Sequence, residues 1–244
     1  MAIKTYLTTD GSTTLYDTEL EVHYRSTHGA HTEVNHVFIE GSRILEHQDH
    51  ELHVLEFGFG GATSFMELAS ALLEQPQGRT LHYHTVEKYP VDPELLTHLS
   101  GPVGQLVKDV LTQSREAQAP DVITLSHGPI TLSLYLGQWE EALLPKDLKA
   151  HAIFHDPFGP AKNPEGWSTK VFTKEREHLH PKGRIATYGA ASKTRKAMCE
   201  ANLQIASLPG PGRKREITVA AHTQDVLLED DRATLIPHTR YFPS

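Results

Sequence analysis

The sequence predicts an α/β fold with a mostly parallel sheet and helices on both faces. From residue 51 to about residue 222, short apolar segments that look like strands alternate with helical segments, as in βαβ units. A glycine-rich turn, with Gly58, Gly60 and Gly61, joins the first of these strands to the first of these helices. The 244 residues, 38% apolar and 22% charged, suffice for one large domain with an appendage or for two small domains.

Residues 1–50 are predicted to form a small β-rich appendage that packs beside the ligand site. Two stretches in it look like strands, 13–17 and 34–40, and a loop is expected between them at 24–30. We therefore divide the chain into an appendage at 1–50, a main domain at 51–222 and a polar C-terminal tail at 223–244.

The main domain is predicted to contain alternating strands and helices, with His127-Gly128-Pro129 as the turn of a hairpin. The first helix can be capped by Thr63 or Ser64 and the last by Ser192. The predicted strands lie at about 52–57, 80–87, 121–125, 130–136, 152–156, 183–188, 203–208 and 216–220. The predicted helices lie at about 62–74, from Pro93 onward, and at 137–144, 171–179 and 192–201.

The glycine-rich turn predicts a site for a nucleoside-containing cofactor. Gly58 and Gly60 permit positive φ and carry no Cβ that would block a ligand. The helix that follows offers backbone N–H groups and the positive end of its dipole. Glu87 ends the next strand, where a carboxylate suits the two hydroxyls of a ribose. By itself such a turn is equally typical of an ordinary connection between a strand and a helix.

Glu56 favours one cofactor class over another. The turn and the downstream acid fit both a dinucleotide and S-adenosylmethionine, but a negative charge beside the turn disfavours a pyrophosphate and suits a sulfonium and an ammonium group. Gln138 and Trp139 can line an adenine pocket, although Trp139 is as readily a core residue. The predicted cofactor-binding residues are Glu56, Gly58, Phe59, Gly60, Glu87, Lys88, Gln138 and Trp139.

Asp156 ends a buried strand and opens a proline-rich loop that runs to Gly166. Ligands bind at the carboxyl ends of parallel strands, so we expect Asp156 across the switch point from Gly58. The loop resembles the acid-Pro-x-aromatic loops of methyltransferases that act on nitrogen. Asp156 and Phe158 are therefore the predicted catalytic residues: the carboxylate accepts a proton or stabilises positive charge, and the ring packs against a base. In the alternative interpretation, Asp156 only caps the loop.

The charges give two opposite indications about nucleic acid. The net charge of −8 argues mildly against a general nucleic-acid coat protein. Two basic clusters, 193–196 and 213–215, can contact phosphates, although a charge run is more often a solvated surface. The predicted nucleic-acid-binding residues are Lys162, Arg213, Lys214 and Arg215.

Histidines and cysteine bear on metals and on the compartment. Among the 17 histidines no spacing matches a strong metal template, so we predict no metal. Cys199 is the only cysteine, which rules out an internal disulfide and fits a reducing cytoplasm. No apolar run approaches the length of a membrane span, and the N-terminus lacks the apolar core of a signal peptide. We expect a cytoplasmic protein without a membrane partner.

Several segments occur in the order of one known family. They are 14–16, 29–41, 55–60, 86–90, 158–167 and 212–216, of which Pro-Ala-Lys-Asn-Pro at 160–164 and Gly-Arg-Lys-Arg-Glu at 212–216 are specific. From about Leu15 to Ala220 the chain resembles the methyltransferase module of the bacterial bifunctional tRNA 5-methylaminomethyl-2-thiouridine biosynthesis enzyme and its stand-alone relatives.

The resemblance implies a class I methyltransferase fold, with a Rossmann-like seven-stranded sheet whose last strand is antiparallel, and S-adenosylmethionine as donor. The implied acceptor is the aminomethyl group of 5-aminomethyluridine, with or without the 2-thio group, at the tRNA wobble position. The family's catalytic acid falls on Asp156, its cofactor turn on Glu56, Gly58 and Gly60, and its strand-end acid on Glu87. The flavin-dependent oxidase half is not present in this sequence, so we expect a separate enzyme to supply the aminomethyl intermediate.

Two positions depart from the family pattern. Pro157 stands where the family commonly has glycine, and Gln138 where it often has an acid. Three alternatives stay open: methylation of a small-molecule amine or another nucleoside, binding of S-adenosylmethionine without catalysis, and, more weakly, a nicotinamide-dependent oxidoreductase.

Overall fold

The computed structural model describes residues 3–27, 29–75, 78–211 and 216–242. Within these ranges a small antiparallel sheet precedes a large mixed sheet that carries helices. The small sheet consists of β1 (Ile3–Leu7), β2 (Thr13–Asp17) and β3 (Val22–His23). The strands of the large sheet are β4 (Glu51–Phe57), β5 (Thr80–Glu87), β6 (Val122–His127), β7 (Ile130–Leu136), β8 (Ala150–His155), β9 (Leu179–Thr187), β10 (Gln204–Pro209), β11 (Glu216–Ala221) and β12 (Thr234–Ile236).

The α-helices vary in length, and short stretches of π- and 3₁₀-helix occur between them. The α-helices are α1 (Ala30–Val34), α2 (Thr63–Leu73), α3 (Gly101–Ser114), α4 (Thr169–His178), α5 (Ser192–Glu200) and α6 (Gln224–Leu228). A π-helix covers Asn35–Glu40, and 3₁₀-helices cover Ile44–Glu46, Pro93–Leu95, Glu165–Trp167 and His238–Arg240. No helix in the described part of the chain has the length and apolar character needed to cross a bilayer.

The strand order of the large sheet confirms the predicted fold class. Among the described residues nine strands follow the order β12-β10-β11-β9-β8-β4-β5-β7-β6. The pairs β5–β7 and β8–β9 are parallel, whereas β11 is antiparallel to both β9 and β10. Seven of the strands, from β10 to β7 in this order, form the predicted sheet. The last of these seven along the chain is β11, and it is the antiparallel strand that the prediction requires. The two added strands, β6 and β12, pair antiparallel with β7 and β10 at the edges.

Two compact units make up the chain, and β4 has residues in both. The first unit comprises Met1–Asn35, Gln48–Leu52 and Glu56–Leu144, and the second comprises His36–His47, His53–Leu55 and Pro145–Ser244. The domain boundaries predicted from the sequence, after residues 50 and 222, stay predictions.

Each unit has its own apolar core. In the first unit, α2 buries Phe65, Leu68 and Leu72, which are spaced by three and four residues and so lie on one helical face. The Phe65 ring meets the Tyr83 ring of β5 edge-on, with centroids 5.1 Å apart. In the second unit every residue of β8 is buried, so this strand is covered on both faces.

The strand predicted at 34–40 is wrong, because this segment is helical. It continues α1 as a π-helix in which Val37, Phe38 and Ile39 are buried. Together with Val34 they cover one helical side, and the Phe38 ring packs 5.3 Å from the Phe154 ring. The β-branched and aromatic composition suggested a strand, but tertiary packing outweighs this weak local preference.

Other local predictions also need correction. Residues 137–144 form turns rather than a helix, with Gly137 at φ 117° and Pro145 directly after Leu144. The segment opened by Pro93 is a single 3₁₀ turn, and the α-helix begins only at Gly101. The N-cap positions of α2 and α5 are alanines, so the predicted caps Thr63, Ser64 and Ser192 lie one or two positions inside their helices. The tail, left without predicted structure, contains α6 and β12.

Candidate active site

The turn after β4 has the positive-φ backbone that its glycines predict. Gly58 and Gly60 have φ of 95° and 51°, in the region that favours glycine, and Ala62 also adopts a positive φ of 61°. The Gly58 N–H donates to the carbonyl of Val86 in β5, at 3.1 Å. The turn delivers the chain directly into α2, so the N-terminus of a helix longer than ten residues opens beside it.

The N-terminal segment of the first unit covers this turn. A Cβ on Gly60 would lie 2.8 Å from Cδ1 of Tyr24, so the tyrosine ring packs directly on the glycine backbone. Burial, with further contributions from the charges of Glu87 and Asp17, raises the pKa of Tyr24 well above its usual value. Tyr24 is therefore a neutral wall of the turn over the physiological pH range.

Glu87 closes the turn from the end of β5. One of its oxygens, Oε2, accepts hydrogen bonds from the backbone N–H groups of Phe59 and Gly60 at 3.1 and 3.2 Å. The other, Oε1, accepts from the N–H of Tyr89 at 2.8 Å. A carboxylate has about four lone-pair sites, so it can still accept from hydroxyl groups. The neighbouring Lys88 is exposed, with Nζ 5.0 Å from the centre of the Tyr89 ring.

Glu56 is fully buried and lies next to a buried cation that the sequence did not reveal. Its Oε1 lies 3.7 Å from the guanidinium of Arg25, and its Oε2 accepts from the Thr85 hydroxyl at 3.4 Å. The guanidinium also donates to Oγ of Ser64 in α2, at 2.7 Å. A buried carboxylate needs such partners. Arg25 lies in a segment read only as a loop, and no local pattern pairs it with a glutamate 31 positions later.

Gln138 and Trp139 follow β7 in the first unit. Trp139 is 2% exposed, and its ring meets that of Phe57 edge-on with centroids 4.8 Å apart. Of the two interpretations left open for Trp139, the structure supports a core position beside the end of β4. Gln138 is half-buried, and its backbone carbonyl accepts from the N–H groups of Glu141 and Ala142. The residues predicted to bind the cofactor thus all lie in one unit.

In the second unit, Asp156 directly follows β8 and is half-buried. The backbone carbonyl of Pro157 accepts from the Tyr188 hydroxyl at 2.6 Å, and that of Phe158 accepts from Nε1 of Trp167 at 2.9 Å. The next carbonyl, on Gly159, accepts from the N–H groups of Lys162 and Asn163. The loop that carries Asp156 and Phe158 therefore has a defined backbone shape, and Lys162 is exposed on it.

The first basic cluster is not a uniformly solvated surface. Arg195 is 3% exposed, and its guanidinium donates to Glu216 and to the Thr218 hydroxyl, each at 3.0 Å. Arg195 therefore supports the packing of α5 on β11, whereas Lys193 and Lys196 are exposed. The other predicted cluster, Arg213, Lys214 and Arg215, lies outside the described residues.

Histidines that are distant in sequence cluster within the second unit. The ring of His151 lies 5.0 Å from that of His47 and 4.7 Å from that of His180, between centroids. Nδ1 of His151 accepts from the backbone N–H of His53 at 3.0 Å, so that nitrogen is already used. Sequence spacing did not predict this grouping, and the absence of a metal stays a prediction.

Comparison with known proteins identifies the family. Residues 99–223, slightly more than half of the 244 residues, match the family described as S-adenosyl-L-methionine-dependent methyltransferase. In Ralstonia nicotianae, a protein named tRNA 5-methylaminomethyl-2-thiouridine biosynthesis bifunctional protein MnmC is 34% identical over 206 residues, covering 81% of this chain and 31% of the relative. A protein of the same name in Cupriavidus metallidurans is 32% identical over 223 residues, covering 88% and 33%.

The chain thus spans about a third of the length of these relatives. The crystal structure of MNMC2 from Aquifex aeolicus shares the fold, with a TM-score of 0.75 at 24% identity, covering 93% of this chain and 75% of that one. The resemblance, the methyltransferase activity and the cofactor expected from the sequence are confirmed. The chain belongs to the S-adenosyl-L-methionine-dependent methyltransferase family.

Proposed function

We propose that this methyltransferase acts on the aminomethyl group of 5-aminomethyluridine, with or without the 2-thio group, at the wobble position of tRNA. The observation that carries the proposal is the match over 81% of the chain to a protein named for tRNA 5-methylaminomethyl-2-thiouridine biosynthesis. That name describes a relative about three times as long, so the acceptor of this chain is our inference. Such a role would place the protein in the cytoplasm with its tRNA.

The first unit fits the cofactor. The glycine backbone of the turn, the N-terminus of α2 and the lone pairs of Glu87 suit a nucleoside with two ribose hydroxyls. When bound, S-adenosylmethionine supplies an electrophilic methyl group on a sulfonium. Glu56 is proposed to favour a cationic ligand over a pyrophosphate, and the Arg25 guanidinium 3.7 Å away holds its carboxylate in place. Glu56, Gly58, Phe59, Gly60, Glu87, Lys88, Gln138 and Trp139 are proposed as the cofactor-binding residues.

The loop in the second unit fits an amine acceptor. A primary amine attacks with its lone pair only when neutral. The new N–C bond would form as the S–C bond of the sulfonium breaks, and the methylated nitrogen would then carry a proton that it can release. The Asp156 carboxylate is proposed to accept a hydrogen bond from the amine, which orients the lone pair, and then to accept the proton. The half-buried ring of Phe158 is proposed to pack against the uracil. Lys162, Arg213, Lys214 and Arg215 are proposed to contact phosphates.

The test is transfer of a labelled methyl group from S-adenosylmethionine to tRNA that lacks the wobble methyl, followed by mass spectrometry of the nucleosides. Wild-type protein should label the wobble uridine, and Asp156→Asn should lower the rate at least about a hundredfold, because it keeps the shape but removes the base. Asp147→Asn, an exposed aspartate before β8, is the matched control and should retain activity.

Two outcomes would contradict the proposal. Labelling that is unaffected by Asp156→Asn would remove Asp156 from catalysis. Methylation of small-molecule amines but not of tRNA, by protein that binds S-adenosylmethionine, would replace the acceptor.

A further inference from the structure

We propose that Trp167 and Tyr188 are positioning residues for methyl transfer, because their side chains hydrogen-bond to the backbone of the Asp156 loop and fix it. The buried pair His155 and Glu175 in turn fixes Trp167. This inference rests on the proposed function, in which the loop receives the acceptor amine.

Two successive peptide carbonyls after Asp156 are held by side-chain donors from other elements. Tyr188, directly after β9, donates to Pro157, and Trp167, at the end of a 3₁₀-helix, donates to Phe158. The donors are separated from their acceptors by 31 and 9 residues. A loop carbonyl outside a regular ladder needs a partner of this kind. These two bonds set the orientation of the two peptide planes on either side of Phe158, and therefore the direction in which its ring leaves the backbone. They also fix the chain that directly follows Asp156, which restrains the loop that carries this carboxylate.

Packing holds the two donors in place. The rings of Trp167 and Tyr188 meet edge to face, with centroids 5.4 Å apart and planes at 75°. Trp167 is 4% exposed. A Cβ on Gly189 would lie 2.3 Å from Cζ3 of Trp167, so the indole lies directly on the backbone of the residue after Tyr188. The indole is thus packed against the segment that directly follows β9.

A buried polar pair also contacts the indole. The His155 ring packs against the rings of Trp167 and Phe172, at 4.6 and 4.7 Å between centroids. Its Nδ1 lies 2.7 Å from Oε1 of Glu175, and both side chains are 0% exposed. A pair of apolar side chains would fill this space with less desolvation. The hydrogen bond to Glu175 instead fixes the plane of the His155 imidazole, and the orientation of this ring restricts the position of the Trp167 indole packed against it.

The consequence concerns the rate of methyl transfer more than the binding of the donor. In-line displacement depends on the distance and angle of the attacking nitrogen, and an error of about 1 Å can cost on the order of a hundredfold in rate. Removing either donor should let the loop relax, while the residues proposed to bind S-adenosylmethionine are unchanged.

Two conservative variants test the inference. Tyr188→Phe removes only the hydroxyl, and Trp167→Phe removes the N–H while keeping an aromatic ring. Each should lower kcat with saturating tRNA by about tenfold or more without raising the Kd for S-adenosylmethionine. The double variant should lose less than the product of the two single losses, because both bonds restrain one loop. Tyr135→Phe, which removes a tyrosine hydroxyl bonded to His84 in the first unit, is the control and should keep kcat.

A second measurement reads the loop without any acceptor. Hydrogen–deuterium exchange should become faster at the Lys162 and Asn163 amides, which bond to Gly159, in both variants, with α4 unchanged. Unchanged exchange in this loop overturns the inference, whatever the acceptor proves to be. If the wild-type protein methylates tRNA and the two variants keep its kcat, the inference is overturned as well. A wild-type protein that leaves tRNA unmethylated contradicts the proposed function instead, and the exchange result then decides the inference by itself.

Discussion

The turn after β4 and the loop after β8 both follow a buried strand, but they are held in different ways. The turn is shaped by its own glycines and by a carboxylate, Glu87, that binds its N–H groups. The loop is shaped by neutral side chains, Trp167 and Tyr188, that bind its carbonyls. The turn therefore presents a glycine backbone and a carboxylate, whereas the loop presents side chains on a fixed backbone. This contrast is the basis of the proposal that one region binds the cofactor and the other orients an acceptor.

Each unit also buries a glutamate, and the partners differ. Glu56 lies beside the permanently charged Arg25, at 3.7 Å, while Glu175 lies beside His155 at 2.7 Å. The first pair is the more widely spaced of the two, and a hydroxyl from Thr85 also reaches its carboxylate. The short second distance, within aromatic surroundings, makes a rigid support.

The largest effect is expected from breaking that rigid support. Glu175→Ala leaves His155 buried without this partner and should lower the free energy of unfolding by about 3–5 kcal/mol. Chemical denaturation measures the loss. Glu177→Ala, an exposed glutamate on the same helix, should change it by less than about 0.5 kcal/mol. Equal stability of the two variants would show that the pair does not stabilise the folded protein.

A smaller effect is expected from filling the space over the turn. Gly60→Ala forces an alanine into positive φ, at a cost of about 1 kcal/mol or more, and it also pushes a methyl group into the Tyr24 ring. Gly128→Ala is the matched control, since its φ of 56° is similar to the 51° of Gly60 and nothing lies within 4 Å of the added Cβ. We expect Gly60→Ala to be the more destabilising by about 1–3 kcal/mol. Identical denaturation midpoints would mean that Tyr24 does not pack on the turn.

The two regions also differ in how far the sequence predicts them. The glycines, the strand-end Glu87 and the order of strands follow from local patterns, because a βαβ unit places the next strand end about thirty residues on. The fold class was predictable for the same reason.

Arg25, Trp167, Tyr188 and the pair His155 and Glu175 were not recognised from the residues alone. Their roles depend on contacts between positions distant in sequence, and such contacts leave no periodic signal. The helix at 35–40 was missed because its β-branched and aromatic residues favour a strand locally, while burial of one helical side decides the outcome.

The smallest effect concerns a thiol in the second unit. Burial, together with the charge of Glu200, raises the pKa of Cys199 to about 11. Below that pH the thiol is protonated, so a disulfide reagent at pH 8 should label native protein slowly and unfolded protein at once. Glu175→Ala should accelerate labelling by opening this unit, whereas Gly128→Ala in the first unit should change it less. Rapid labelling of native wild type would show that α5 does not shield the thiol.

The most direct test of the division between turn and loop is the Kd for S-adenosylmethionine, measured by calorimetry for Glu87→Ala and Asp156→Asn beside wild type. Glu87→Ala removes the carboxylate proposed to accept hydrogen bonds from the ribose hydroxyls, so binding should weaken by about tenfold or more. Asp156→Asn should bind S-adenosylmethionine as wild type does and fail to transfer the methyl group. The reverse result, with normal affinity for Glu87→Ala and weakened affinity for Asp156→Asn, would contradict the assignment of the cofactor to the turn and the acceptor to the loop.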